Sequence, residues 1–195
     1  MAVSAMRQNG FEPEFSAEVM REIGSLNDPS NDSLPLDCRD LRRLPWSSID
    51  NRESRDLDQI EVAERVADGS IRIRIGVADV DTLVRLGSAA DTHAATNTTS
   101  VYTGVAVFPM LPERLSCDLS SLNEGEDRLA FVIEFDVAAD GALGAASVYR
   151  ALVHNKAKLT YEAVGLWLDG KGPAPRAISA SPQLGEQLRI QDEAA

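Results

Sequence analysis

Several features that define other protein classes are scarce or absent in this sequence. Cys38 and Cys117 are the only cysteines among 195 residues, too few for a disulfide framework and without the paired spacing of a zinc site. We therefore expect reduced, partly buried thiols. No apolar run reaches the roughly 18 residues that a membrane-spanning helix requires, and residues 1–15 lack the charged and apolar regions of a secretion signal. These absences predict a cytoplasmic protein without a membrane partner.

Positive charge is also scarce. The chain has 19 lysines and arginines against 31 aspartates and glutamates, which gives a formal net charge of -12. A protein that holds nucleic acid only by neutralising phosphates normally carries a broad basic surface, and this composition does not provide one. If the protein handles RNA, metal ions or other domains must supply the positive charge.

Turn signals predict two pairs of β-strands. Asp68-Gly69 and Asp140-Gly141 each favour the tight turns that join antiparallel strands. In residues 70–78, isoleucine and valine at positions 71, 73, 75 and 77 alternate with arginine at positions 72 and 74. This alternation predicts a strand with a buried isoleucine face and a solvated arginine face. The predicted strands are residues 60–66, 70–78, 131–137 and 143–153.

Helices are predicted where apolar residues recur at helical spacing behind a capping residue. Ser16 and Thr160 are the caps expected for the first and third helices. Together with the hairpins, the helices predict an α+β fold of mostly antiparallel hairpins, or a curved sheet, flanked by helices. The predicted helices are residues 15–26, 88–97 and 160–168, with a further helix beginning near 184; residues 27–37 are a predicted linker, and 109–127 and 171–183 are predicted loops.

The stretch IDNRESRDLDQIE, residues 49–61, crowds Asp50, Asp56 and Asp58 into a short segment. Because like charges repel, such carboxylates must face water, bind protons or share a cation. If the following strand begins early, Asp56 and Asp58 project from one face, and a turn at residues 51–54 returns Asp50 to them. Oxygen ligands at this spacing suit Mg²⁺. Composition alone still favours a solvated acidic loop, so both interpretations stay open.

Other candidate residues carry weaker signals. Tyr102 could stack on a nucleobase, although core packing is the commoner role of a tyrosine. Lys156 and Lys158 could contact phosphate, although lysines before a helix are usually solvated. His93 and His154 are interpreted as structural or exposed rather than catalytic.

Four segments, taken in order and at similar spacing, resemble the catalytic (RNB) domain of the ribonuclease II family. They are RDLRRLPWSSIDNRESRDLDQI, IRIGVADVDTLVRLGSAAD, TSVYTGVAVFPMLPERLSCDLSSLNEGEDRLAF and KAKLTYEAV. The resemblance covers roughly residues 36–168, and residues 15–26 resemble a segment that precedes the domain in some bacterial members. It implies an N-terminal helix and linker at residues 1–35 and the N-terminal portion of an RNB-type domain, itself incomplete, at residues 36–195.

The resemblance implies a hydrolytic exoribonuclease that degrades single-stranded RNA from the 3′ end, releases nucleoside 5′-monophosphates and uses Mg²⁺. Asp50, Asp56 and Asp58 correspond to signature aspartates of the family: Asp50 and Asp56 help to hold metal, and Asp58 is the residue most critical for activity. No preference for DNA is expected, and the oligomeric state is left open. The residues expected to contact RNA are Tyr102, which corresponds to a tyrosine that stacks near the 3′ end, Arg55, Lys156 and Lys158.

Two departures from the family pattern bear on activity. Most members have a fourth aspartate where this chain has Gln59, a neutral and poorer Mg²⁺ ligand. By the resemblance, this stretch is also expected to lack the family's later arginine-bearing segment and OB-fold domains, and alone is predicted to be a weak nuclease. Losing one charge partner costs about 10²–10³ in rate. The alternatives are a degenerate homologue that binds RNA or a protein partner without cutting, and an acidic cluster that only supports structure.

Overall fold

The structure, a computed structural model, describes residues 1–31 and 37–195. The chain divides into two compact units, one of Met1–Pro29 with Asp79–Ser120 and one of Ser30–Ala78 with Ser121–Ala195. The predicted domain boundary near residue 36 lies outside the described residues and stays a prediction, as does the part of the predicted linker at residues 32–36.

The elements fall into nine strands and six α-helices in the described ranges. The strands are β1 (Arg39–Asp40), β2 (Ser47–Asp50), β3 (Gln59–Arg65), β4 (Ile71–Ala78), β5 (Val101–Tyr102), β6 (Val107–Phe108), β7 (Asp127–Val137), β8 (Ser147–His154) and β9 (Ala157–Thr160). The helices are α1 (Ala2–Gln8), α2 (Ala17–Gly24), α3 (Ala89–Asn97), α4 (Tyr161–Leu168), α5 (Arg176–Ala180) and α6 (Pro182–Ala194).

The second unit is built on a seven-stranded sheet in the order β1-β8-β7-β4-β3-β2-β9. Both predicted hairpins are confirmed, since β3 pairs antiparallel with β4 and β7 with β8. The neighbours β1 with β8 and β2 with β9 run parallel, whereas the remaining neighbours in this sheet are antiparallel. The α+β prediction therefore holds, with parallel strands at both edges.

The predicted orientation of β4 is wrong in part. Ile71 is buried, but Val77 on the same face is 38% exposed, whereas the Arg74 side chain is only 11% exposed. The reason lies in the neighbouring strand, because Arg74 stands opposite Val62 and Gly76 stands opposite Ile60, both core residues. The arginine face of β4 is therefore the face turned toward the main core, which consists of Trp46, Leu57, Ile60, Val62, Leu122, Ala130, Val132, Ala151 and Val153.

The segment predicted as a loop at residues 171–183 contains α5, which is a second correction. Ile178 of α5 is buried in a cluster with Leu184 and Leu188 of α6 and Val164 of α4. A single large apolar residue in a Pro- and Ser-rich stretch gives no periodic signal, so this packing decides the helix. Helix α1 was not predicted either.

The first unit confirms the two helices predicted within it. The hydroxyl of Ser16 accepts a hydrogen bond from Val19 N at 3.2 Å and caps α2. His93 of α3 is buried, and its Nδ1 lies 3.2 Å from Glu12 Oε2, which agrees with a structural role. The predicted loop at 109–127 includes a π-helical segment, Arg114–Leu119, which packs Leu115 and Leu119 into the core of the unit. Across the described ranges, no helix has the length and apolar content needed to cross a membrane.

Candidate active site

The acidic residues lie in the connection between β2 and β3. Strand β2 ends at Asp50 and β3 begins at Gln59. Asp56 and Asp58 therefore precede β3, and the early start of this strand that would place them on one face is not observed. The predicted turn is present: Ser54 N donates to the carbonyl oxygen of Asn51 at 3.2 Å. Ser54 Oγ also donates to Asp50 Oδ1 at 2.8 Å, and this bond fixes one carboxylate oxygen of Asp50.

Lys158 supports the same connection from β9. Its Nζ donates to the carbonyl oxygens of Ser54 and of Arg52, the latter at 3.4 Å. Its backbone N donates to Glu124 Oε2 at 2.8 Å. In this structure the Lys158 ammonium therefore binds the loop that follows Asp50.

Ser121 anchors the segment that carries Asp56. Its hydroxyl accepts a hydrogen bond from Leu57 N at 3.0 Å and lies 3.2 Å from the carbonyl oxygen of Arg55 and 3.1 Å from Asn123 Oδ1. Because a hydroxyl has one proton, it can donate to only one of these two oxygens at a time. The residues on both sides of Asp56 are thus held by one side chain that is only 2% exposed.

A buried asparagine extends this support. Asn155 is 1% exposed, and its Nδ2 donates to the carbonyl oxygen of Leu122 at 2.7 Å and to Ser48 Oγ at 3.1 Å. Leu122 N in turn donates to the carbonyl oxygen of Leu57 at 2.9 Å. Hydrogen bonds therefore connect β2, the acidic segment and the residues before β9.

The carboxylates act on one another electrostatically. Partial burial raises the pKa of Asp58 most, and the negative charges of Asp56 and Asp50 raise it further. Burial also raises the pKa of Glu61, whose Oε1 accepts a hydrogen bond from Gln59 Nε2 at 3.3 Å. The connection between β2 and β3 is consequently a region of negative potential that favours a proton or a cation.

Comparison with known proteins gives a family match over most of the chain. The model of the RNB domain family matches residues 38–195. The chain belongs to the RNB family. It is 36% identical over 166 residues to ribonuclease R of Vibrio parahaemolyticus, covering 85% of this chain and 20% of that protein. It is 35% identical over 171 residues to ribonuclease R of Escherichia coli, covering 87% and 21%.

A solved relative shows the same fold as this RNB chain. Mycoplasma genitalium RNase R in complex with ribose-methylated single-stranded RNA matches with a TM-score of 0.89 and 26% identity, covering 99% of this chain and 30% of that chain. The RNB chain therefore spans about a fifth of the length of the curated relatives named above.

Within the RNB chain, the structure brings some of the predicted site residues together. Arg55, Gln59 and Lys158 lie on or beside the connection that carries the three aspartates. Tyr102 lies on β5 of the first unit and is 67% exposed. Lys156 lies immediately before β9, and its N donates to the carbonyl oxygen of Trp46 at 2.9 Å.

Sequence reasoning did not identify Ser121 or Asn155. Ser121 lies in the long segment at 109–127, whose length was the only available signal, because long ordered connections are often functional. A serine or an asparagine in a polar stretch carries no pattern that predicts a distant partner.

Proposed function

We propose that this chain provides the carboxylate site of a Mg²⁺-dependent exoribonuclease that hydrolyses single-stranded RNA from the 3′ end to nucleoside 5′-monophosphates. The observation that carries the proposal is the electrostatic coupling of Asp58 with Asp56 and Asp50 on a hydrogen-bonded connection. Named relatives are ribonuclease R proteins, and one was solved with single-stranded RNA. We keep the cytoplasmic location as a prediction.

The residues fit Mg²⁺ in their chemistry. Mg²⁺ prefers oxygen ligands and is usually bound by one or two carboxylates, several waters and substrate phosphate oxygens. Among the residues that the structure describes, no group of three or more His, Cys, Asp or Glu side chains could hold a metal ion by itself. Partial burial raises the pKa of Asp58, and the negative charges of Asp56 and Asp50 raise it further; this electrostatic coupling supports an ion held jointly with the substrate.

Each residue has a distinct proposed role. Asp50 and Asp56 offer carboxylate oxygens to the cation, and Asp58 lies beside them as the group on which activity depends most. Mg²⁺, when bound, neutralises charge that develops on the scissile phosphate. The exposed Arg55 is proposed to contact RNA, and Tyr102 is proposed to stack on a base near the 3′ end. Lys158, also proposed to contact RNA, holds the loop after Asp50 through Ser54 and Arg52.

Activity is tested with 5′-labelled single-stranded RNA and Mg²⁺, with products resolved by size. We expect shortening from the 3′ end, loss of shortening in Asp58→Asn, and faster shortening in Gln59→Asp because a carboxylate is a better Mg²⁺ ligand than an amide. Asp169→Asn is the matched control, since Asp169 is an exposed carboxylate paired with Lys171. An unchanged ladder, or equal rates in all variants, would contradict the proposal.

A second candidate function is RNA capture without cleavage. Gln59 favours it, because the neutral side chain replaces a carboxylate of the family pattern and donates to Glu61. RNA binding without Mg²⁺-dependent turnover, measured on the same RNA, would support this function.

Calorimetric Mg²⁺ titration separates both candidates from a purely structural ion site. We expect Mg²⁺ affinity to increase when a nucleoside 5′-monophosphate is present, because the phosphate completes the ligand set. Equal Mg²⁺ affinity with and without the nucleotide would indicate an ion that only supports structure.

A further inference from the structure

A second charged region lies in the same unit, at the other end of β2 and β9 from Asp50. Lys156 immediately precedes β9 and its N donates to the carbonyl oxygen of Trp46, whereas Asp50 is paired with Thr160 at the end of β9. A separation of four residues along a strand is about 13 Å. The cleft there has a volume of about 360 Å³ and is lined by Asp40, Arg42, Arg43, Asp127, His154 and Lys156.

The acidic groups of this cleft already have cationic or hydrogen-bonding partners. Arg42 Nη1 lies 2.9 Å from Asp127 Oδ2, and Arg42 Nη2 lies 2.6 Å from Asp40 Oδ2. The other oxygen of Asp127 lies 2.6 Å from His154 Nδ1. These contacts place both carboxylates against Arg42 and leave the other cations of the cleft available.

Arg43 and Lys156 are those cations. Within the described ranges, neither side chain forms a hydrogen bond or an ion pair, and both residues are exposed. With Arg42, they give the lining three positive charges, against two negative charges from Asp40 and Asp127. In a chain with a net charge of -12, this cleft is a local exception.

Trp46 holds both walls of the cleft in place. Its fully buried indole Nε1 donates to the carbonyl oxygen of Leu41 at 2.9 Å, on the turn that presents Arg42 and Arg43. Its own carbonyl oxygen accepts from Lys156 N at 2.9 Å. The backbone positions of the two unpaired cations are therefore set by one core residue, which lowers the entropy cost of binding a ligand between them.

We propose that this cleft binds a backbone phosphate of the RNA, with Arg43 and Lys156 donating to its oxygens. The inference rests on the proposed function only in that RNA is the ligand. The cleft supplies positive charge that the composition of the chain otherwise lacks. Because phosphate contacts position a nucleic acid without reading its sequence, the cleft is expected to hold the strand while the carboxylate site acts elsewhere on it.

The test measures binding of a short, 5′-fluorescein-labelled oligoadenylate RNA by anisotropy, in EDTA so that no Mg²⁺-dependent cleavage occurs. The double variant Arg43→Gln/Lys156→Gln is compared with Lys171→Gln/Arg176→Gln, which removes the same charge from exposed sites away from the cleft. We expect the cleft variant to bind at least about tenfold more weakly at low salt. Its slope of log affinity against log salt should fall by about 0.7, the contribution of one phosphate contact on a single strand.

Equal losses in the two double variants would overturn the proposal, because general charge would then explain binding. An unchanged affinity and salt slope in the cleft variant, or no measurable binding by the unaltered protein at low salt, would also overturn it. The proposed function fails separately: RNA that is bound through the cleft but never shortened with Mg²⁺ would refute the nuclease and leave the cleft standing. If the cleft variant binds RNA with unchanged affinity and shortens it normally, the cleft proposal is refuted and the nuclease proposal is kept.

Discussion

Replacing Ser121 by alanine should loosen the segment that carries Asp56. The hydroxyl of Ser121 accepts one hydrogen bond, from Leu57 N, and donates one, to the carbonyl oxygen of Arg55 or to Asn123 Oδ1. Both bonds disappear in Ser121→Ala, and no water can readily replace them because Ser121 is 2% exposed. Two buried hydrogen bonds at about 1 kcal/mol each, with the desolvation cost of an unpaired N–H, give a loss of about 2–3 kcal/mol.

Urea unfolding followed by tryptophan fluorescence measures this loss, because both tryptophans, Trp46 and Trp167, lie in the same unit as Ser121. The matched control is Ser179→Ala. Ser179 is exposed and its hydroxyl lies 3.4 Å from the carbonyl oxygen of Ala174, so the expected change is below about 0.5 kcal/mol.

A second readout connects the same substitution to the site. Since Ser121 holds the residues on both sides of Asp56, Ser121→Ala should also weaken Mg²⁺ binding measured by calorimetry in the presence of a nucleoside 5′-monophosphate. If Ser121→Ala and Ser179→Ala reduce the free energy of unfolding equally, the hydrogen bonds of Ser121 do not anchor the segment and the reasoning is refuted.

Three further predictions concern the same unit. The pKa of Asp58 is raised by burial and by neighbouring carboxylates, so the native state binds more protons than the unfolded state and loses stability as pH rises from the unfolded pKa through the native pKa. Asp58→Asn should therefore stabilise the protein at about pH 7 but not at about pH 3. Equal effects in urea unfolding at the two pH values would contradict this prediction. Trp46→Phe should lower the free energy of unfolding by about 2–4 kcal/mol in urea titrations, because it leaves a cavity and removes the buried hydrogen bond from the indole N–H to the Leu41 carbonyl oxygen. A loss below about 0.5 kcal/mol would contradict this prediction. Arg74→Ala should lower the free energy of unfolding by about 2 kcal/mol, because the Arg74 side chain is only 11% exposed between Glu64 and Glu134. Arg72→Ala should lower it by less than about 1 kcal/mol, because the ion pair of Arg72 with Asp136 is solvated. Equal losses of stability on thermal unfolding would show that burial of the ion pair is unimportant.

Local signals in the sequence predicted most of the local structure. Asp68-Gly69 and Asp140-Gly141 both connect antiparallel strands, and Ser16 and Thr160 both cap helices through hydrogen bonds to nearby backbone N–H groups. These features depend on residues within a few positions of one another, so the chain encodes them without reference to the rest of the fold.

Other predictions failed where the outcome depended on distant partners. The alternation along β4 predicted a buried isoleucine face, but Val62 and Ile60 of the adjacent strand place the main core against Arg74 and Gly76 instead. The short strands β1, β2 and β9 gave no signal of their own because they form by pairing with strands elsewhere in the sheet.

The sequence by itself determined the family, the crowding of Asp50, Asp56 and Asp58, and the shortage of positive charge. Only the tertiary structure decided how the acidic segment is supported, because Ser121 is 64 positions from Leu57 and Lys158 is 104 positions from Ser54. It also decided that Lys156 lies beside Trp46, whose carbonyl oxygen accepts a hydrogen bond from Lys156 N, and so lines the cleft. Hydrogen bonds between such distant positions exist only after the sheet has brought the strands together, so no local pattern in the chain can specify them.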